Sequence, residues 1–138
     1  VFINGKNINR QFLKKIKLIN PDIYIFSGEY VSSNYNKFKK NNYLTFSGIG
    51  NPISFKNTLN KYRIKNKLNL TFPDHYNYSE LEIKKIKDIA KFKKLKILTT
   101  EKDFYRIPIK LRKNINFLKI NLKIKKLKEF EKFIFKYL

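Results

Sequence analysis

Tyr43-Leu44-Thr45-Phe46-Ser47-Gly48-Ile49-Gly50-Asn51-Pro52 reads as the end of one element and the start of the next. Tyr43 to Phe46 is a short apolar run of the kind that forms a buried strand, and a glycine loop follows it. Asn51 then offers a side-chain oxygen to the free N–H groups of a new helix, and Pro52 suits its first position. Phe55, Leu59 and Tyr62 fall on one face of that helix, expected over Pro52 to Tyr62. The pattern returns twice. Leu68 to Phe72 runs into Pro73-Asp74-His75-Tyr76, and a helix follows whose entry carries Ser79 and Glu82 at capping-box spacing and whose buried stripe is Ile83, Ile86, Ile89 and Ala90. Lys96 to Thr99 runs into Thr100-Glu101-Lys102-Asp103, where Thr100 and Asp103 can cap a short helix. Gly48 to Pro73 is 25 positions and Pro73 to Thr99 is 26, the length of a strand-loop-helix unit. The expectation is βαβαβ.

Connections of that length favour parallel pairing, so the three loops should leave the same carboxyl edge of one sheet, where open α/β sheets bind ligands. The fold class expected is therefore α/β, a mostly parallel open sheet with flanking helices. Farther out, Leu118, Ile120, Leu122 and Ile124 alternate with polar residues as a half-exposed strand near a sheet edge, and Leu127, Phe130, Ile134 and Tyr137 give an amphipathic terminal helix. Before residue 43, Asp22 to Phe26 reads as a strand, Asn9 to Leu18 as a lysine-rich helix and Ser32 to Asn42 as a polar loop. One α/β domain over residues 1–138 is expected, with its core in 43–138 and a less regular part in 1–42.

At 138 residues with 42% hydrophobic content, the chain is long enough for one domain with a real core and too short for a second full one. The absence of cysteine removes disulfides and thiolate metal sites, and one histidine leaves only carboxylates for hard cations. No apolar run reaches the roughly 18 residues that cross a bilayer, and the first six residues lack the layout of a signal peptide. The chain reads as cytoplasmic. It starts at Val1 and is read as a fragment. The net charge of +22 raises the question of nucleic acid, but only Arg10, Arg63, Arg106 and Arg112 among the 32 basic residues carry the planar fork that reads bases and phosphates. The lysines are scattered, and together with abundant Asn and Ile they reflect AT-rich codons. No specific nucleic-acid partner is expected. An anionic membrane surface, which attracts each nearby lysine by about 1 kcal/mol, needs no special sequence.

Each loop has a plain and a functional reading. Gly48 and Gly50 serve a tight turn, or they bring backbone N–H groups to face an anion or a neighbouring domain. The loop is neither a Walker A loop nor a dinucleotide fingerprint. His75, the only histidine, is a surface imidazole, or, beside Asp74 and flanked by Tyr76 and Tyr78, a group that shuttles a proton or orients a catalytic base. Thr100 and Asp103 explain each other as a cap, leaving Glu101 and Lys102 as solvent-facing residues, a pair, or, for Lys102, a phosphate contact. A Ser-His-Asp hydrolase lacks its G-x-S-x-G elbow here.

F-S-G-I-G-N-P, then F-P-D-H-Y with Y-S at the next helix start, then T-T-E-K-D, in this order and spacing, resembles the C-terminal half of the tetraacyldisaccharide 4'-kinase family of Gram-negative bacteria. The resemblance covers roughly Asp22 to Leu138 and is strongest from Phe46 to Asp103. It implies the C-terminal domain of a P-loop-type kinase that transfers the γ-phosphate of ATP, with Mg2+, to the 4'-hydroxyl of a lipid A disaccharide precursor at the cytoplasmic face of the inner membrane. It implies that His75 pairs with and tunes a base from the N-terminal half. Asp74 is grouped with it as catalytic, and Gly48, Gly50, Asn51, Glu101, Lys102 and Asp103 as substrate or domain-interface residues. The chain departs from the family pattern in having no G-x-x-x-x-G-K-[ST]; Gly5-Lys6 is followed by Asn7. A part of an active site that binds no ATP alone is therefore expected, completed by a missing N-terminal half. A basic nucleic-acid or membrane-surface module and a non-catalytic interaction domain are the alternatives.

Overall fold

In a computed structural model of the chain, which describes residues 1–5 and 9–137, a strand β3 (Asn42–Ser47) has every side chain from Tyr43 to Ser47 buried. A strand covered on both faces belongs at the middle of a parallel sheet, and β3 lies there. It pairs in parallel with β4 (Lys65–Thr71) on one side and with β5 (Lys96–Thr100) on the other, and β5 pairs in parallel with β6 (Ile115–Leu118). The order is β4-β3-β5-β6. The intervening helices are α2 (Pro52–Lys61), α3 (Glu80–Phe92) and the short α4 (Glu101–Arg106). The parallel α/β reading holds.

Side chains alternate across β3. Leu44 and Phe46 join Ile83, Ile86 and Ala90 of α3, with Ile97 and Ile115, in one apolar cluster. Tyr43 meets Phe38 edge to face at 5.8 Å. Two buried hydroxyls on the sheet are paired: that of Thr99 donates to the Phe46 carbonyl at 2.7 Å and that of Thr45 to Asn69 Oδ1 at 2.8 Å. One detail of the expected stripe differs, because Ile89 is 36% exposed while Ile83, Ile86 and Ala90 are buried. At 100° per residue, 83, 86 and 90 share a face and 89 sits at its margin.

Residues Ser32–Lys119 form one compact unit, and Val1–Val31 with Ile120–Leu138 form another. The period-two run around 118–124 divides accordingly: β6 stops at Leu118, and β7 (Ile120–Ile124) belongs to a three-stranded sheet of order β1-β2-β7, with β1 (Phe2–Asn4) and β2 (Phe26–Ser32) parallel. Asn34 marks the break. Its Oδ1 accepts from the Lys119 N–H at 2.9 Å and its Nδ2 donates to the Phe117 carbonyl at 3.0 Å, so the chain turns out of the main sheet at 119. The strand expected at 22–26 is β2, shifted to 26–32, and the 32–42 loop holds a 3-10 turn (Tyr35–Phe38) that buries Phe38. In the smaller unit, α1 (Arg10–Ile19) starts on an Asn9 cap, and α5 (Leu127–Phe135) sets Phe130 against Phe2 and Phe26 at 5.9 and 5.0 Å. Lys6, considered above with Gly5, lies outside the described residues. Among the described residues, no helix is long and apolar enough to cross a membrane.

Candidate functional site

The chain leaves β3 toward β4 and leaves β5 toward β6, so the connections diverge from the carboxyl ends of β3 and β5. In open α/β sheets such a divergence marks the edge at which ligands bind. The loops after β3, β4 and β5 meet there.

The approach of the first two loops is close. A Cβ at Gly48 would stand 3.0 Å from the Pro73 carbonyl oxygen, from Tyr76 Cβ and from Tyr78 Oη, and one at Gly50 would stand 3.0 Å from Asp74 Oδ2. Neither glycine has positive φ, so proximity rather than turn geometry explains both. The loop after β4 is seated by aromatic rings. Phe72 stacks tilted on Tyr76 at 4.9 Å, and Tyr78 meets Phe46 and Phe72 edge to face at 5.3 and 5.2 Å. At the apex His75 has φ +58°, and its N–H donates to Asp74 Oδ1 at 2.9 Å. Arg63 and Lys94, also left-handed, directly follow helix C-caps, where that conformation is common. His75 has no such reason, and local strain of this kind gathers at functional loops.

The third loop contributes a buried carboxylate. Asp103 is fully buried; its Oδ2 accepts from the Thr100 hydroxyl at 2.6 Å, its Oδ1 from the Tyr78 hydroxyl at 3.1 Å, and its N–H donates to Thr100 Oγ1 at 3.1 Å. The cap read from the sequence is present, and the same carboxylate also anchors the loop after β4. Burial, and next the Asp103 charge, push the Tyr78 phenol far above its ordinary value, so it remains a donor.

Arg106, at the end of α4, joins all three loops. One guanidinium nitrogen, Nη1, donates to the Gly48 carbonyl at 2.8 Å and lies 3.5 Å from Asp103 Oδ1; the other, Nη2, lies 3.2 Å from His75 Nδ1. On the far side of the ring, His75 Nε2 is 3.8 Å from Asp74 Oδ2. The His75 side chain is 77% exposed and that of Asp74 50%, so both face outward from a rigid base.

The structure thus brings together His75, Asp74, Gly48, Gly50 and Asp103. Asn51 caps α2, accepting from the Ser54 N–H at 3.0 Å, and Glu101 and Lys102 occupy the first turn of α4 outside the network. Arg106 is absent from the residues that the sequence singles out. The available signal is its type: arginine is scarce here, four among 32 basic residues, and its fork can meet several acceptors at once, which one ammonium does poorly. Below the loop, the Tyr76 hydroxyl donates to Glu82, which closes the capping box with Ser79. No group of three or more His, Asp or Glu suited to a metal ion occurs among the described residues.

Fold and loop geometry together define a parallel α/β domain in which three successive strand-to-helix loops converge at the carboxyl edge of the sheet. The family described as tetraacyldisaccharide-1-P 4'-kinase matches residues 3–138, and the chain belongs to it. The tetraacyldisaccharide 4'-kinase of Pelagibacter ubique (strain HTCC1062) is 40% identical over 126 residues, covering 90% of this chain and 40% of that protein. That of Rickettsia felis (strain ATCC VR-1525 / URRWXCal2) is 39% identical over 112 residues, covering 78% of this chain and 30% of its own. The chain thus spans less than half the length of these relatives. A crystal structure of LpxK from Aquifex aeolicus in complex with ATP shares the fold, with a TM-score of 0.56 at 22% identity over 87% of this chain and 40% of that one.

Proposed function

We propose that these 138 residues act as the C-terminal part of a lipid A 4'-kinase, which transfers the γ-phosphate of ATP to the 4'-hydroxyl of a tetraacyldisaccharide 1-phosphate. The observation that carries the reading is the convergence of the three motif loops on one sheet edge in a chain of this family. Phosphoryl transfer asks the protein chiefly for positioning and charge neutralisation. A rigidly based, outward-facing His75 beside Asp74 is suited to positioning. It orients a carboxylate base supplied by the rest of the relatives' length, and that base takes the proton of the attacking sugar hydroxyl. Gly48, Gly50 and Asp103 hold the loops in place, while Asn51, Glu101 and Lys102 are offered to substrate or to a neighbouring domain.

ATP and Mg2+ are assigned to the part of the relatives that this chain does not span, because the 138 residues contain no G-x-x-x-x-G-K-[ST]. Turnover is therefore not expected from them alone. The lipid precursor and a cytoplasmic inner-membrane surface are the partners, and the net charge of +22 supports the second by attraction to acidic headgroups.

The test is a chimera. The matching segment of the Pelagibacter kinase is replaced by this chain, and ATP-dependent phosphorylation of the lipid A disaccharide precursor is measured. Turnover well above that of the isolated chain is the expected result; a folded chimera that binds ATP but transfers no phosphate would overturn the reading.

A further inference from the structure

The sequence leaves two roles open for His75, proton shuttle or orienting donor, and the geometry around Arg106 chooses between them. A guanidinium has five N–H donors and no acceptor. With Arg106 Nη2 at 3.2 Å from His75 Nδ1, the contact is a hydrogen bond only when Nδ1 carries no proton. We infer that Arg106 is a positioning residue that fixes His75 as its Nε2–H tautomer, so that the imidazole meets an acidic partner as a donor through Nε2.

The guanidinium is itself held. Nη1 donates to the Gly48 carbonyl at 2.8 Å and faces the fully buried Asp103 carboxylate at 3.5 Å, and the Arg106 side chain is only 20% exposed. An arginine fixed at two points presents its remaining nitrogen in one direction. Among the described residues, Asp74 and Arg106 are the charged groups in contact with the ring: Asp74 Oδ2 lies 3.8 Å from Nε2, beyond hydrogen-bond distance, and the N–H of residue 75 already occupies Asp74 Oδ1. The Nε2 proton is therefore available to another carboxylate. A histidine in this state steadies and orients an anionic base and takes no proton from the substrate. Through Arg106 the ring is tied to the Gly48 carbonyl in the loop after β3.

The tautomer assignment deepens the kinase reading, and the experiment separates the two. His75 is the only histidine in the chain, so ring-nitrogen NMR of the full 138-residue protein reports on it without ambiguity. At alkaline pH the neutral ring is expected to show two well-separated nitrogen signals, with proton coupling at Nε2 alone. In Arg106→Ala, with a dispersed amide spectrum, the signals should move toward each other as the tautomers exchange. Where that variant does not fold, Arg106→Lys decides instead: one ammonium cannot serve Gly48, Asp103 and the ring together, and the same averaging is expected. A wild-type ring protonated at Nδ1 or already averaging, or a folded variant with the wild-type pattern, would overturn the inference. An inactive chimera with the Nε2–H signature intact would overturn the kinase reading and leave the tautomer assignment standing.

Discussion

Gly48 and Gly50 are two residues apart in sequence and differ in what surrounds them. At Gly48 an added methyl group meets a backbone carbonyl, a Cβ and a buried phenol, all at 3.0 Å, and none of these can rotate away. Gly48→Ala is expected to lower stability by about 1–3 kcal/mol, measured by urea unfolding. At Gly50 the neighbour is the end of the half-exposed Asp74 side chain, which can turn aside, so Gly50→Ala should stay within about 0.5 kcal/mol of wild type. Equal losses at the two sites would contradict the packing described. Asp103 gives the complementary case of a buried charge. Removing its carboxylate leaves the Tyr78 hydroxyl and the Arg106 guanidinium without their common partner, and Asp103→Ala should cost about 3 kcal/mol in the same assay. A loss confined to the roughly 1 kcal/mol of a helix cap would show that the hub adds nothing to stability.

The first turn of α3 combines a local motif with the long-range seating of the loop after β4. The Ser79 hydroxyl accepts from the Glu82 N–H at 3.2 Å, Glu82 accepts from the Ser79 N–H at 2.9 Å, and the Tyr76 hydroxyl donates to the same carboxylate. Ser79→Ala should cost about 1 kcal/mol. The Ser79 hydrogen bond first, and then that of Tyr76, hold the Glu82 carboxyl below its ordinary value of 4.5. A carboxyl lowered by folding contributes stability that is fully present above its unfolded value and is lost as pH falls through the folded one. Unfolding midpoints of wild type should therefore fall more steeply below about pH 4.5 than those of Glu82→Gln; parallel curves would remove Glu82 from the acid response. Elements of this kind were legible in the sequence because their signals are local: the Asn51-Pro52 start, the Ser79/Glu82 box and the Thr100/Asp103 cap all formed where their spacing placed them. What was not legible depended on distant partners. The split of 115–124 into β6 and β7 rests on Asn34, 85 residues before Lys119, and the role of Arg106 rests on a carbonyl 58 residues earlier. Periodicity along the chain carries no information about either.

On the scale of the whole molecule, three loops with modest individual signals become one site because the parallel sheet brings their strands to a common edge. The even spacing of the motifs was the sequence's record of that architecture. The division at 31/32 and 119/120 left no such record, since no composition shift or linker accompanies it. The central claim is that His75, steadied from the sheet edge by Arg106, serves phosphoryl transfer in an enzyme of which this chain is one part. The most direct measurement is kcat of the Pelagibacter chimera with His75 and with His75→Ala. The account predicts a fall of about 10²-fold or more in kcat, with the folded state and nucleotide affinity unchanged. Near-equal turnover of the two proteins would contradict it.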